Sequence, residues 1–256
     1  MQRFYRSGSF FGMGFLRARH LKQLQLIESD VAQIFVDMAS KNGALVENVK
    51  SQIGQDIFAL LSLGWKKGGY FVEFGATNGV DLSNTYLLEK DFGWSGILAE
   101  PARVWHEDLK KNRTAALDFD CVWKASGEML NFTAPREAEY STISAYVNSD
   151  THSSARVDGS QYPVKTVSLN DLLARYEAPH QIDYLSVDTE GSELDILEQF
   201  DFQKYSVSVV TCEHNYSGQR EKIYRLLSQN GFSRMYEGLS RWDDWFVNNA
   251  NIIKAS

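Results

Sequence analysis

Between Gly68 and Lys90 the chain reads GGYFVEFGATNGVDLSNTYLLEK. An apolar run, Tyr70 to Phe74, stops at a glycine turn, and a helical pattern follows. The unit recurs. GWSGILAEP, ALDFDCVWKAS, IDYLSVDTEG and YSVSVVTCEHN are strand-like runs that end in polar residues. ARVWHEDLKKNR, SLNDLLARYE, SELDILEQF and SGQREKIYRLLSQNG are the helical runs between or after them. This alternation predicts a mostly parallel sheet with helices on both faces. Right-handed crossovers put the C-terminal ends of the strands on one edge, where α/β folds bind ligands. The last two strands, FSRMYEG and WDDWFVNN, are expected to pair antiparallel.

Local signals place several boundaries. Ser83 is the expected N-cap of SNTYLLEKDFG, with Gly93 just past its end. Ser168 is the expected cap of SLNDLLARYE, and Gly231 the stop of the late helix. GEMLNFT is expected to form a hairpin with ALDFDCVWKAS. Ahead of the first strand, HLKQLQLIESDVAQIFVDMAS has helical apolar spacing, and a short helix follows from Gln55 to about Leu63. The pattern lapses from Ala134 to Gln161, and a loop of that length is usually functional or mobile. The division expected is an N-terminal arm and helix over residues 1–50 and one α/β domain over 51–256.

A chain of 256 residues can bury a full core. The formal net charge of -7 argues against nucleic acid or an anionic membrane as partner. Cys121 and Cys212 lack zinc spacing and make no disulfide scaffold, so a cytoplasmic location is expected. The sequons at Asn131 and Asn215 are then chance matches. No stretch reaches the about 18–20 apolar residues of a membrane span. The basic, aromatic first twenty residues read as a flexible or loosely docked arm. Oligomeric state is not legible.

The polar strand ends define the candidate site. Gly75 and Gly79 bracket a turn that permits close backbone approach. Glu100, at the end of the next strand, is placed to accept both hydroxyls of a ribose. The glycines form only G-x-x-x-G, and Glu73 just upstream would repel a pyrophosphate. The same acid would attract an ammonium group. Charge therefore favours S-adenosylmethionine over NAD. The expected cofactor contacts are Glu73, Gly75, Ala76, Gly79, Ser83, Asn84, Glu100, Pro101, Ala125, Ser126 and Asp188. His214, at a strand end, is the expected base for a hydroxyl proton, with Asp188 and Glu213 beside it. Asp188, Glu213 and His214 could instead hold Mg²⁺ or Mn²⁺; the metal-free arrangement is preferred. Glu190 and Glu193 read as turn and first-turn acids. Ser51, Gln52 and Gln55 could close over the cofactor's methionine end, or Ser51 or Asp56 could simply start the helix that follows. Asp243 and Asp244 read as a late turn or strand with one exposed acid.

The stretches SQIGQDIFAL, GGYFVEFGATNGVDLSNTYLLEKDFGWSGILAEP, SLNDLL, IDYLSVDTEGSELDIL and VTCEHN, in that order, resemble the FkbM-type methyltransferase family. The resemblance spans about residues 51–250. It implies a Rossmann-like class I methyltransferase fold with a seven-stranded sheet, preceded here by extra N-terminal helices. It also implies O-methyl transfer from S-adenosylmethionine to a small-molecule or carbohydrate hydroxyl. Acceptor choice would lie in the 134–161 loop. The rival reading is a non-catalytic binding or interaction module that keeps the fold, since fold alone does not guarantee chemistry.

Overall fold

The computed structural model describes residues 29–148 and 153–251. The expected arm, the first part of the N-terminal helix, and His20 and His152 lie outside the described residues. The helices are α1 (Ser29–Lys41), α2 (Gln55–Ser62), α3 (Tyr86–Phe92), α4 (His106–Asn112), α5 (Leu169–Arg175), α6 (Glu193–Leu197), α7 (Arg220–Gln229) and α8 (Glu237–Ser240). The strands are β1 (Tyr70–Phe74), β2 (Ser95–Ala99), β3 (Ala116–Asp118), β4 (Cys121–Trp123), β5 (Met129–Ala134), β6 (Thr142–Ile143), β7 (Ser160–Ser168), β8 (Gln181–Val187), β9 (Ser206–Glu213), β10 (Phe232–Met235) and β11 (Asp243–Asn248).

Seven strands form one sheet in the order β10-β11-β9-β8-β1-β2-β3. The pairs from β9 to β3 are all parallel, and β11 runs antiparallel to both β9 and β10. The order reverses between β1 and β8, which makes a crevice beyond their C-terminal ends. Seven strands in one mostly parallel sheet is what the resemblance implied. Side-chain alternation divides its core. Phe71 and Trp245 face α1, α2 and α3 through Phe35, Phe58 and Leu87. Val72 and Phe246 face α5, α6 and α7 through Leu172, Leu197 and Leu227. The extra N-terminal helices thus complete one apolar layer.

ALDFDCVWKAS does not form one strand. Asp118 Oδ1 accepts the Asp120 N–H at 2.8 Å, its Oδ2 takes Arg175 at 2.5 Å, and the chain leaves the main sheet there. Beyond the break, β4 joins a second sheet of order β4-β7-β5-β6. The expected hairpin partner of β5 is therefore wrong. β5 pairs antiparallel with β7 and β6, while β4 pairs parallel with β7. Part of the long loop is thus sheet, and it roofs the crevice. Ser168 does cap α5, accepting the Asp171 N–H at 3.1 Å. Helix α3 starts later than expected, at Tyr86, although the Ser83 hydroxyl still accepts the Tyr86 N–H at 3.1 Å.

Candidate active site

A cavity of about 400 Å³ opens over the C-terminal ends of β1, β2, β8 and β9, under β5, β6 and the turn at Ala138–Tyr140. Gly75, at the end of β1, has φ +70°. A methyl group there would lie 2.3 Å from the Asp188 carbonyl oxygen, so glycine lets β1 and β8 approach at the crevice. Glu73, Gly75, Asn84, Glu100, Pro101, Asp188 and Glu213 line the cavity.

Six carboxylates reach this wall: Glu73, Glu100, Glu139, Asp188, Glu190 and Glu213. Among the described residues no lysine, arginine or histidine does. Glu100 accepts the Thr77 N–H at 2.8 Å and the Ala102 N–H at 2.7 Å. Burial outweighs these bonds and pushes its pKa up to about 7. Burial, and then the Glu193 charge, push Asp188 to about 7 as well. Burial and the Asp188 charge hold Glu213 well above the usual carboxylate range.

Glu73 is enclosed by protein donors. It accepts from the Asn84 N–H at 2.7 Å, the Ser83 hydroxyl at 3.1 Å and the Thr85 hydroxyl, with Arg113 3.8 Å away. Burial still raises its pKa. The Arg113 side chain is wholly buried. It reaches Glu89 at 2.9 Å, Gly79 O and Ser83 Oγ at 3.1 Å, and Thr85 Oγ1 at 2.9 Å. It ties the glycine turn to the start of α3. In sequence it is one more basic residue after KKN, and nothing there marks it.

Several expected contacts lie elsewhere. Ala76, Gly79 and Ser83 sit behind the wall: Ala76 is fully buried in the core, a methyl on Gly79 would meet Leu109 and Arg113, and Ser83 serves Glu73 and α3. Ala125 and Ser126 are not brought to the cavity, because β4 has left the main sheet. Ser126 instead bonds Asp171 and the Ser168 N–H. Glu193 accepts the Thr189 and Gly191 N–H groups at 3.0 Å and holds the turn after β8.

His214 does not line the cavity, and this corrects its assignment as the base. Its Nδ1 accepts the Tyr216 N–H at 3.0 Å, and its Nε2 lies 3.7 Å from Asp244. Burial lowers its pKa. Successive residues point to opposite sides of an extended chain. Glu213 faces the crevice, so the next side chain faces away. His106 and His180 also lie outside, bonded to the carbonyls of Glu100 and Lys204.

Asp243 and Asp244 are both buried, against the expected exposed acid. Asp243 accepts from Gln55 at 2.9 Å, and Asp244 pairs with Arg220 at 2.7 Å and Arg234 at 3.1 Å. Gln55 is thereby committed to β11, and Ser51 to Asp56 at 2.6 Å, while Gln52 does line the cavity. The residues that sequence reasoning missed at the wall include Glu190, Tyr216, Trp242 and Leu82. Glu190, Tyr216 and Leu82 have positive φ, a conformation no periodic pattern reports.

Residues 73–244 match the family described as the methyltransferase FkbM domain. No curated protein matches the chain. Among solved structures it is similar to methyltransferase FkbM from Methylobacillus flagellatus KT, at 12% identity and TM-score 0.42, over 85% of this chain and 59% of that one. It is similar to precorrin-6y C5,15-methyltransferase from Geobacter metallireducens GS-15, at 10% identity and TM-score 0.40, over 81% and 94% of the two chains. It is also similar to human methyltransferase 10 domain containing protein, at 13% identity and TM-score 0.41, over 94% and 97%. The chain spans less than two thirds of the Methylobacillus protein.

Proposed function

Because the chain belongs to the FkbM methyltransferase family, we propose that it transfers the methyl group of S-adenosylmethionine to a hydroxyl of a sugar, glycan or secondary metabolite. One observation carries this reading. The crevice where strand order reverses is lined by acids, with no basic side chain among the described residues. That suits a cofactor carrying a sulfonium and an ammonium and opposes a pyrophosphate.

The residues present fit this cofactor. Asn84 is 7% exposed and lines the cavity, and its Oδ1 has no hydrogen-bond partner among the described residues. It is an acceptor for the ammonium, beside Glu73. Glu100 would take the ribose hydroxyls, and Val122, Phe132 and Pro101 offer an apolar slot for the base. When bound, S-adenosylmethionine supplies an electrophilic methyl group. The chain's own task is to orient the acceptor oxygen and draw off its proton. Asp188 and Glu213, which line the cavity, would do that, and raised pKa values suit carboxylates that handle a proton near neutral pH. The side chain of Tyr216, 65% exposed, stands at the same wall with Ser192, Asn215 and Gln52. This mixture suits an acceptor with hydroxyls and one apolar face.

The test is incubation with methyl-¹³C S-adenosylmethionine and a panel of sugars and polyhydroxylated alcohols. A methoxy carbon signal in the product is expected. A labelled N-methyl or C-methyl product would overturn the hydroxyl assignment.

A further inference from the structure

We propose that Asp188, Glu190 and Glu213 hold a divalent cation of the magnesium or manganese type at the inner wall of the cavity. One carboxylate oxygen from each of the three lies within 4.8 Å of the other two. Oxygens that ligate one ion at about 2.1–2.4 Å lie at most about 4–5 Å apart, so the three can share a coordination shell. All the donors are hard oxygens, which select Mg²⁺ or Mn²⁺ over softer metals. The trio differs from the set the sequence suggested: His214 turns away, and Glu190 takes its place.

A second observation is independent of the cluster. Glu213 is 7% exposed, and its Oε2 has no hydrogen-bond partner among the described residues. A buried carboxylate oxygen without a partner is costly, and a cation would satisfy it. Local charge points the same way. Arg156 pairs with Glu190 at 2.7 Å. When ionised, the three carboxylates outnumber that guanidinium, and a divalent ion would offset the excess negative charge. Glu190 is also held in place. Its φ is +59°, its carbonyl accepts the Thr142 hydroxyl at 2.9 Å, and Arg156 and Asn215 both contact its Oε2. Such outer contacts orient a carboxylate ligand.

The ion's role, which rests on the hydroxyl-methylation reading, is to lower the pKa of the acceptor hydroxyl, whose proton then leaves to water at the cavity mouth. With the ion bound, Asp188 and Glu213 serve as its ligands, and water takes the proton they would otherwise accept. Binding of the ion itself does not depend on that reading.

The experiment is a titration of chelator-treated protein with Mn²⁺, with free Mn²⁺ read by electron paramagnetic resonance. S-adenosylhomocysteine binding is measured separately in metal-free buffer. The wild type should bind about one Mn²⁺ per chain at sub-millimolar concentration, displaceable by Mg²⁺. Glu213→Gln should weaken this by about tenfold or more, and Glu139→Gln, at the cavity wall but outside the trio, should not. Asp188→Asn replaces Glu213→Gln if the latter loses its native circular dichroism. No Mn²⁺ bound by the wild type at about 1 mM would overturn the cation site. So would equal binding by wild type and Glu213→Gln. Loss of S-adenosylhomocysteine binding alone would strike the cofactor assignment and leave the cation site standing.

Discussion

Arg113→Met removes the one cation that reaches Glu73 among the described residues, and keeps a stem of similar length under Phe71 and Tyr86. Glu89 would remain partly served, because Thr114 donates to it twice at 3.0 Å and Lys90 once at 3.1 Å. Its pKa shows the present balance. Burial pushes it up, and Arg113 with the surrounding donors more than offsets that, leaving it below the ordinary value. Glu73 has no such reserve. It would keep three hydrogen bonds but lose its counter-charge at 2% exposure. Breaking a buried ion pair from one side costs about 3–5 kcal/mol. In a domain of this size that is roughly a 6–20 °C fall in Tm. The assay is urea unfolding followed by tryptophan fluorescence. Adding Glu73→Gln to Arg113→Met should recover about 1–3 kcal/mol, because the uncompensated charge is removed. A loss below about 1 kcal/mol, or no recovery in the double variant, would refute the claim that Arg113 acts by neutralising buried acids.

Gly75→Ala should destabilise by well over 1 kcal/mol, roughly, since φ is +70° and the new methyl would meet the Asp188 carbonyl, a backbone atom that cannot step aside; thermal denaturation reads this. Burial raises Asp56 to about 6, despite bonds from Ser51 and Ile57. A raised acid stabilises the fold most below its unfolded pKa near 4, and that stability is lost as pH rises through about 6, a span worth roughly 2–4 kcal/mol. Asp56→Asn should flatten this fall, measured as unfolding free energy at pH 4.5 and pH 7.5. His214→Ala should lower kcat by less than about tenfold, short of the loss a general base would cause, because the imidazole faces Asp244 and not the cavity. A loss of about a hundredfold with unchanged stability would restore it as the base.

The main sheet was legible because β1, β2, β8 and β9 are apolar runs closed by glycine or acids, and the helices between them carry caps and stops in sequence. The small sheet was not. Only an aspartate turn at Asp118–Asp120 separates β3 from β4, and the Arg175 that fixes it comes from α5, more than fifty residues later. β5 pairs with β7 across the 134–161 segment, and no local pattern announces so distant a pairing. At the site, strand ends predicted which residues approach the crevice but not where their side chains turn. Glu213 lines the cavity, its neighbour His214 does not, and that single step of alternation relocates the expected base. Glu190 read as a solvated turn acid. Its positive φ and its pairing with the distant Arg156 bring it to the wall instead. Nothing in sequence marked Arg113, and one of Asp243 and Asp244 was expected to be exposed, because their partners lie on other elements.

The central claim is that this acid-lined crevice binds the methyl donor through Glu100 at one end. The most direct test is calorimetric titration of wild type and Glu100→Ala with S-adenosylhomocysteine, and of wild type with NAD. Wild type should bind S-adenosylhomocysteine at about one site per chain and show no heat with NAD. Glu100→Ala should bind roughly ten- to a hundredfold more weakly, the worth of a charge-assisted hydrogen bond of about 1.5–3 kcal/mol. Binding of NAD, or an unchanged dissociation constant in Glu100→Ala, would contradict the account.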